Sequence, residues 1–179
     1  MTKRVLGTLT LALCGLSWPV SEAAAQQEKT VFQFENRKSH RCLRLEEAPA
    51  TAIVAGFLRT FTCGTAPTEL IDEGRDAPAR LTFDLGNGKF ACVHVRAMDV
   101  KTLPSDIFAN TCADQTSRWG LGGTEPDGFN DVTLFRNPSG GIDELCLSED
   151  TTRRTVVIAR CTGADEQRWK RHPVTVPIR

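Results

Sequence analysis

The seven cysteines are the residues whose types and spacing say most about the chemistry of this chain. Cys14 lies in an apolar N-terminal stretch, and six others are spread over the remaining sequence: Cys42, Cys63, Cys92, Cys112, Cys146 and Cys161. The nearest two of these six are 15 residues apart, whereas zinc sites usually contain pairs about two to four residues apart. The spacing therefore favours disulfides and predicts no metal site.

Other residue types that carry out catalysis form no recognisable pattern. The three histidines, His40, His94 and His172, are far apart, and no Gly-x-Ser-x-Gly nucleophile motif is present. The acidic pairs are neighbours in sequence, Glu46-Glu47, Asp143-Glu144 and Glu149-Asp150, whereas glycoside hydrolysis needs two carboxyl groups across a cleft. Phosphate-binding and calcium-binding loop motifs are missing too. We therefore predict that the protein is not an enzyme and uses no cofactor.

Residues 1–25 are typical of a secretory signal peptide. Lys3 and Arg4 precede a mostly apolar stretch, which ends in small residues, and cleavage is predicted after Ala25. The apolar part is too short for a membrane span of about 20 residues. A lipoprotein attached through Cys14 is disfavoured, because Leu13 stands where a small residue is usual. We expect residues 26–179 to be secreted or periplasmic, where disulfides form.

The charge of the chain is balanced. It contains 22 basic and 22 acidic residues, and cleavage would remove two basic residues and one acidic residue, leaving a formal charge of −1. A nucleic-acid-binding surface needs a clear excess of Lys and Arg, so no nucleic-acid partner is predicted. No later apolar run is long enough to predict a transmembrane segment, and residues 26–179 fit one domain.

The six later cysteines recur at one period. The first cysteines of successive copies are 50 and 54 residues apart, and the second cysteines are 49 and 49 apart. Such a period indicates a repeat, with copies at about 31–80, 81–128 and 129–175. Alternation such as Arg41-Cys42-Leu43-Arg44-Leu45 and the turn Gly86-Asn87-Gly88 predict four short strands per copy. Three such units can share a core by closing into a barrel.

The predicted barrel indicates which side chains are buried and which cysteines are cross-linked. Large apolar side chains recur in the copies and are expected in the core or its cap: Phe34, Phe83, Phe135, Trp119 and Trp169. The two cysteines of each copy lie at the edges of neighbouring strands, so the economical pairing is Cys42–Cys63, Cys92–Cys112 and Cys146–Cys161. Each bond would close a loop of roughly 15 to 22 residues, worth about 3 kcal/mol.

The repeated order of parts resembles the ricin-type β-trefoil. A cysteine before Leu-x-Leu or Val-x-Val, a second cysteine and then Gln-x-Trp carry this resemblance over residues 31 to about 173. The third copy has Gln167-Arg168-Trp169, the second has the lengthened Gln115 to Trp119, and the first has Leu70-Ile71 instead. The resemblance implies an all-β fold, a single β-trefoil in residues 26–179, with Gln115, Trp119, Gln167 and Trp169 in structural roles.

The resemblance also suggests where a sugar would bind. Sugar-binding copies of the family have an aspartate two residues after the first cysteine and an aromatic residue two before the second. The first position here holds Arg44, His94 and Ser148, and the second holds Phe61, Asn110 and Ala159, so no copy has the full set. Our first candidate site is in copy one: Arg44, Glu46, Arg59 and Phe61. The second is in copy three: Ser148, Asp150 and Gln167.

Each candidate has a simpler interpretation, in which the acids are solvated loop charges and Phe61 belongs to the core. Two functional hypotheses follow from the resemblance. The first is a secreted lectin-like module that binds a glycan or glycoprotein. The alternative is a non-catalytic docking or receptor-binding subunit of a toxin assembly, since the trefoil subunits of cytolethal distending toxins also have degenerate sugar positions. Its partner would then be a toxin enzyme subunit.

Overall fold

The computed structural model describes residues 28–47, 56–64, 70–73, 78–86, 88–96, 99–112, 117–122, 125–135 and 144–177. The predicted signal peptide and Gln115 lie outside these residues. The strands are β1 (Glu28–Asn36), β2 (Arg41–Glu47), β3 (Gly56–Thr62), β4 (Leu70–Glu73), β5 (Arg80–Gly86), β6 (Lys89–His94), β7 (Ser105–Asp106), β8 (Phe108–Thr111), β9 (Trp119–Leu121), β10 (Phe129–Leu134), β11 (Leu145–Asp150), β12 (Thr155–Arg160) and β13 (Arg168–Pro177). Short 3-10 turns form at Asp99–Lys101 and Asp165–Gln167.

Six strands form a closed ring. β1 pairs with both β13 and β4, β4 pairs with β5, and β10 pairs with both β9 and β13. An antiparallel bridge between Ala79, next to β5, and Trp119 of β9 completes the circuit. Each copy contributes its first and last strand to this barrel, so closure satisfies strand edges that would otherwise be exposed.

The remaining strands form three hairpins, β2–β3, β6–β8 and β11–β12. These hairpins meet one another through pairings of β3 with β8, β12 with β3, and β12 with β7. A six-stranded barrel with three hairpins packed together is the β-trefoil, so the predicted fold class is confirmed. In the described part of the chain, no helix is long and apolar enough to cross a membrane.

The core contains four of the five large side chains predicted for it. Phe34, Phe83, Trp119 and Trp169 are all at most 2% exposed. The prediction for Phe135 is wrong, because its side chain is 54% exposed. Side chains alternate between the two faces of a strand; Val132 and Leu134 of β10 are buried, and Leu134 therefore takes the core position that the sequence spacing suggested for its neighbour.

The three predicted disulfides are present. Their Cα–Cα distances are 4.9 Å for Cys42–Cys63, 4.9 Å for Cys92–Cys112 and 5.1 Å for Cys146–Cys161. Each bond joins the start of the second strand of a copy to the end of its third strand. Three such bonds indicate an extracellular or otherwise oxidising location.

Candidate ligand-binding face of the first hairpin

The four residues predicted in copy one lie on one face of the β2–β3 hairpin. Leu43, Leu45 and Leu58 are buried in the core, so the alternate positions of these strands face outward. The register places Arg44 directly opposite Arg59, and Cys42 opposite Phe61. Glu46 follows Arg44 by two residues on the same face. The hairpin therefore brings Arg44, Glu46, Arg59 and Phe61 together, and we call this set the first-hairpin face.

Two diagonal contacts order the first-hairpin face. Arg59 donates a hydrogen bond from Nε to Glu46 Oε2 at 2.6 Å. The guanidinium carbon of Arg44 lies 4.8 Å from the centroid of the Phe61 ring, within the range of a cation–π contact. Phe61 is half-buried rather than a core residue, and Arg44 covers part of its ring. The face thus presents donors, one carboxylate and aromatic carbon to solvent.

Phe57 extends this face and was missed by the sequence analysis. It lies opposite Glu46 on β2 and opposite Phe108 on β8, and its side chain is 42% exposed. The signal was available, because Phe57, Arg59 and Phe61 alternate along β3 and therefore share one face. Phe57 is the more accessible aromatic platform, since no cation is stacked on it among the described contacts.

A small cleft adjoins Phe57 where the hairpins meet. It has a volume of about 20 Å³ and is lined in part by Arg59, Asp106 and Thr155. The Thr155 hydroxyl is buried and has no hydrogen-bond partner among the described residues. A space of this size is large enough for one water molecule, so the hydroxyl does not by itself indicate a ligand.

Copy two has a related arrangement. The His94 ring stacks on Phe108 with centroids 6.0 Å apart and an interplanar angle of 11°. The guanidinium carbon of Arg96 lies 4.6 Å from the centroid of the same Phe108 ring. Phe108 is only 7% exposed, so it offers a ligand little surface, unlike Phe57.

The residues predicted in copy three do not converge. Asp150 Oδ1 accepts the backbone N–H groups of Thr152 and Arg153 at 3.1 and 3.0 Å, which fixes the tip of the β11–β12 hairpin. Gln167 lies beside the other end, where its Nε2 donates to the Arg160 carbonyl at 2.7 Å. Arg160 pairs with Leu145, five residues and roughly 17 Å along the strand from Asp150.

Gln167 and Ser148 are also nearly inaccessible. Gln167 is 3% exposed and Ser148 8%. Besides its donor contact, Gln167 accepts the Thr162 backbone N–H through Oε1 at 2.7 Å, so its amide braces the loop before β13. Trp169 likewise donates from Nε1 to the Leu147 carbonyl at 2.9 Å, which ties β13 to the hairpin. These contacts give Gln167 and Trp169 structural roles, and ligand binding at copy three stays a prediction.

Another cavity lies away from the predicted ligand-binding positions. It has a volume of about 200 Å³ and lies at the barrel wall between β9, β10, β13 and β1. Its lining includes the buried Phe34, Val132 and Trp169 together with Asn130, Asp131 and Arg171. Asp131 forms an ion pair there with Arg168, whose Nε lies 3.5 Å from Asp131 Oδ1.

Glu35 lies between two histidines. Its Oε1 is 2.9 Å from His40 Nδ1, and its Oε2 is 2.6 Å from His172 Nε2. The hydrogen bond with His40 lowers the pKa of Glu35 below its ordinary value of 4.5, burial opposes this shift, and His172 adds to the lowering. In the described part of the chain, no three His, Cys, Asp or Glu side chains are placed to hold a metal.

Glu35 is expected to make stability depend on acidic pH. A lowered folded-state pKa means that the stabilisation is complete above the unfolded-state pKa, near 4.5, and is lost as pH falls through the folded-state value. Urea unfolding at pH 6 should therefore separate the wild type from Glu35→Gln more clearly than unfolding at pH 3. A difference that is constant across this range would contradict the assignment.

Comparisons with known proteins find similarity among solved structures only. No protein-family model matches the chain, and no curated protein matches it significantly. Among solved structures, the chain is similar to a designed three-fold symmetric protein, ThreeFoil, with 17% sequence identity and a TM-score of 0.47. The match covers 78% of this chain and 96% of that chain. The assignment of a candidate site therefore depends on the geometry of the first-hairpin face.

Proposed function

We propose that this protein is a secreted, non-catalytic module that binds carbohydrate through the first-hairpin face. The observation that carries the proposal is the grouping of Arg44, Glu46, Arg59 and Phe61 on one face, with Phe57 exposed beside them. Carboxylate and guanidinium groups hydrogen-bond sugar hydroxyls, and an exposed aromatic ring packs against the apolar face of a pyranose. The shallow shape suits a sugar at the end of a glycan rather than an enclosed small molecule.

The test is binding of oxidised residues 26–179 to a broad glycan array. Saturable binding to a set of related glycans is expected. Phe61→Ala should weaken it at least about tenfold, which corresponds to about 1.4 kcal/mol, because the substitution removes both an aromatic surface and the support of Arg44. Phe90→Ala is a matched control, since Phe90 is also an exposed phenylalanine, at 39%, but lies on β6. Unchanged binding by folded Phe61→Ala would exclude this face.

A second candidate function is docking of a protein partner, such as the enzyme subunit of a toxin assembly. It is favoured by Leu85 and Phe90, which are 36% and 39% exposed and flank the turn between β5 and β6. Exposed apolar side chains near each other are common at protein interfaces. If a toxin-enzyme gene neighbours this one, Leu85→Ser with Phe90→Ser should abolish co-purification with its product, and retention of the complex would exclude this surface.

A further inference from the structure

Two arginines occupy directly opposite positions on the first-hairpin face. Arg44 of β2 and Arg59 of β3 are cross-strand partners, and like charges at such positions repel each other. Glu46 compensates one of them, through the 2.6 Å contact with Arg59. The face therefore has two positive charges and one negative charge within two successive outward-facing residue pairs of the hairpin.

Arg44 is held in place without a carboxylate. Its described contact is with the Phe61 ring, at 4.8 Å from the centroid, and no salt bridge to it is found among the described residues. Stacking uses the face of the planar guanidinium, whereas its five N–H donors lie in the plane. Phe61 therefore orders the cation and leaves donor groups able to bind an acceptor.

We propose that the ligand of this face is an acidic sugar, whose carboxylate or sulfate binds Arg44. This inference depends on the proposed function and specifies its ligand class. An anion there compensates the guanidinium that has no carboxylate partner and forms charge-assisted hydrogen bonds with it. A neutral sugar would offer only hydroxyls to Arg44 and leave its positive charge uncompensated.

The remainder of the sugar has a defined place. Glu46 and Phe57 form the next outward-facing pair on the hairpin, about 7 Å from the arginine pair at a rise of about 3.4 Å per residue. That separation is comparable with one pyranose ring. With the acidic group at Arg44, Glu46 would accept hydroxyl hydrogens while Phe57 packs against the ring carbons.

The experiment compares matched acidic and neutral ligands by calorimetry with oxidised residues 26–179. The probes are a heparin tetrasaccharide for sulfate, an oligogalacturonate for carboxylate, and lactose and maltotetraose as neutral sugars. At least one acidic probe should bind about tenfold or more tightly than the neutral sugars, and its affinity should fall with added salt. Binding of the oligogalacturonate would show that a carboxylate suffices, whereas binding of the heparin tetrasaccharide alone, which carries both groups, would show that sulfate is required.

Substitutions then assign the effect to Arg44. Arg44→Gln should lose at least about tenfold in affinity for the acidic probe, and Arg44→Lys should recover only part of it because the bidentate geometry is lost. Arg171→Gln is the matched control, since Arg171 also stacks on a phenylalanine, Phe32, but lies on β13 in the barrel. It removes the same charge and should leave the affinity unchanged.

The outcomes separate this inference from the proposed function. Equal binding of neutral and acidic sugars would overturn the acidic-ligand inference while the lectin proposal stands. Binding of no glycan by a folded sample would overturn both. An equal loss in Arg44→Gln and Arg171→Gln would show a general charge effect and exclude Arg44 as the site. Binding of duplex DNA as tight as that of the acidic sugar would also overturn the inference.

Discussion

Replacing Cys146 and Cys161 together with alanine is expected to lower the free energy of unfolding by about 3 kcal/mol or more. The bond closes a loop with a sequence separation of 15 residues, for which the chain-entropy model gives about 3 kcal/mol. Cys146 is fully buried, so loss of its sulfur also leaves a small cavity, which adds to the cost. For a domain of this size, the midpoint of thermal unfolding should fall by roughly 6–12 °C.

The other two disulfides provide the comparison. Cys42–Cys63 and Cys92–Cys112 span 21 and 20 residues, so their double-alanine variants should lose about the same free energy. The three bonds belong to different hairpins, and the losses should be nearly additive. Urea unfolding followed by circular dichroism measures each loss. A loss below about 1 kcal/mol, or a non-reducing peptide map with a bond between copies, would contradict this account.

The fold was predictable because several regularities have the same period. Cysteines, strand alternation and turn residues recur together, and each follows from local chemistry or from the repeat itself. Details that depend on distant partners were not predictable. The third strand of copy two is divided into β7, which pairs with β12, and β8, which pairs with β3 and β6. Nothing in the local sequence specifies a change of neighbour within one strand.

The strand pairing at the ends of the domain was also not predictable from the sequence. The first and last strands were expected to begin near Val31 and end near 175, but β1 and β13 pair from Glu28 with Pro177 to Asn36 with Trp169. Lys29 and Asp84 form a 2.6 Å ion pair across different copies. Such pairing partners are separated by most or much of the chain, so their register is visible only in the folded structure.

The candidate site was predictable in part. Alternation alone places Arg44 and Glu46 on one face of β2, but the hairpin register is needed to bring Arg59 to Glu46 and Arg44 over Phe61. In copy three, Asp150 and Gln167 hydrogen-bond to the backbone instead. Asp150 caps a turn and Gln167 braces a loop, because Asp and Gln side chains satisfy nearby backbone groups as readily as they bind ligands.

The second large effect is expected at the two buried tryptophans. Trp169→Ala or Trp119→Ala should each cost about 3–5 kcal/mol, the usual range for a large side chain removed from a core. Both residues are at most 2% exposed, and each contacts strands of two copies through barrel pairing. Unfolding in urea, followed by circular dichroism, should show a large decrease for either variant, and a loss below about 1 kcal/mol would contradict the described core.

Substitution with phenylalanine should distinguish the two tryptophans. Trp169 Nε1 donates to the Leu147 carbonyl at 2.9 Å, whereas Trp119 Nε1 is buried without an acceptor among the described residues. Trp169→Phe loses a hydrogen bond, while Trp119→Phe removes an unsatisfied donor whose burial is itself unfavourable. Trp169→Phe should therefore be more destabilising than Trp119→Phe, by about 1–2 kcal/mol.

The comparison of Trp169→Phe with Trp119→Phe contains its own control. Residues 26–179 contain only these two tryptophans, so each variant keeps one as a fluorescent reporter of unfolding. Both substitutions remove the same atoms, and the volume lost from the core therefore cancels in the comparison. A larger loss for Trp119→Phe, or equal losses, would show that Trp119 Nε1 is hydrogen-bonded in solution, and the contact from Trp169 to Leu147 would then no longer distinguish the third copy from the second.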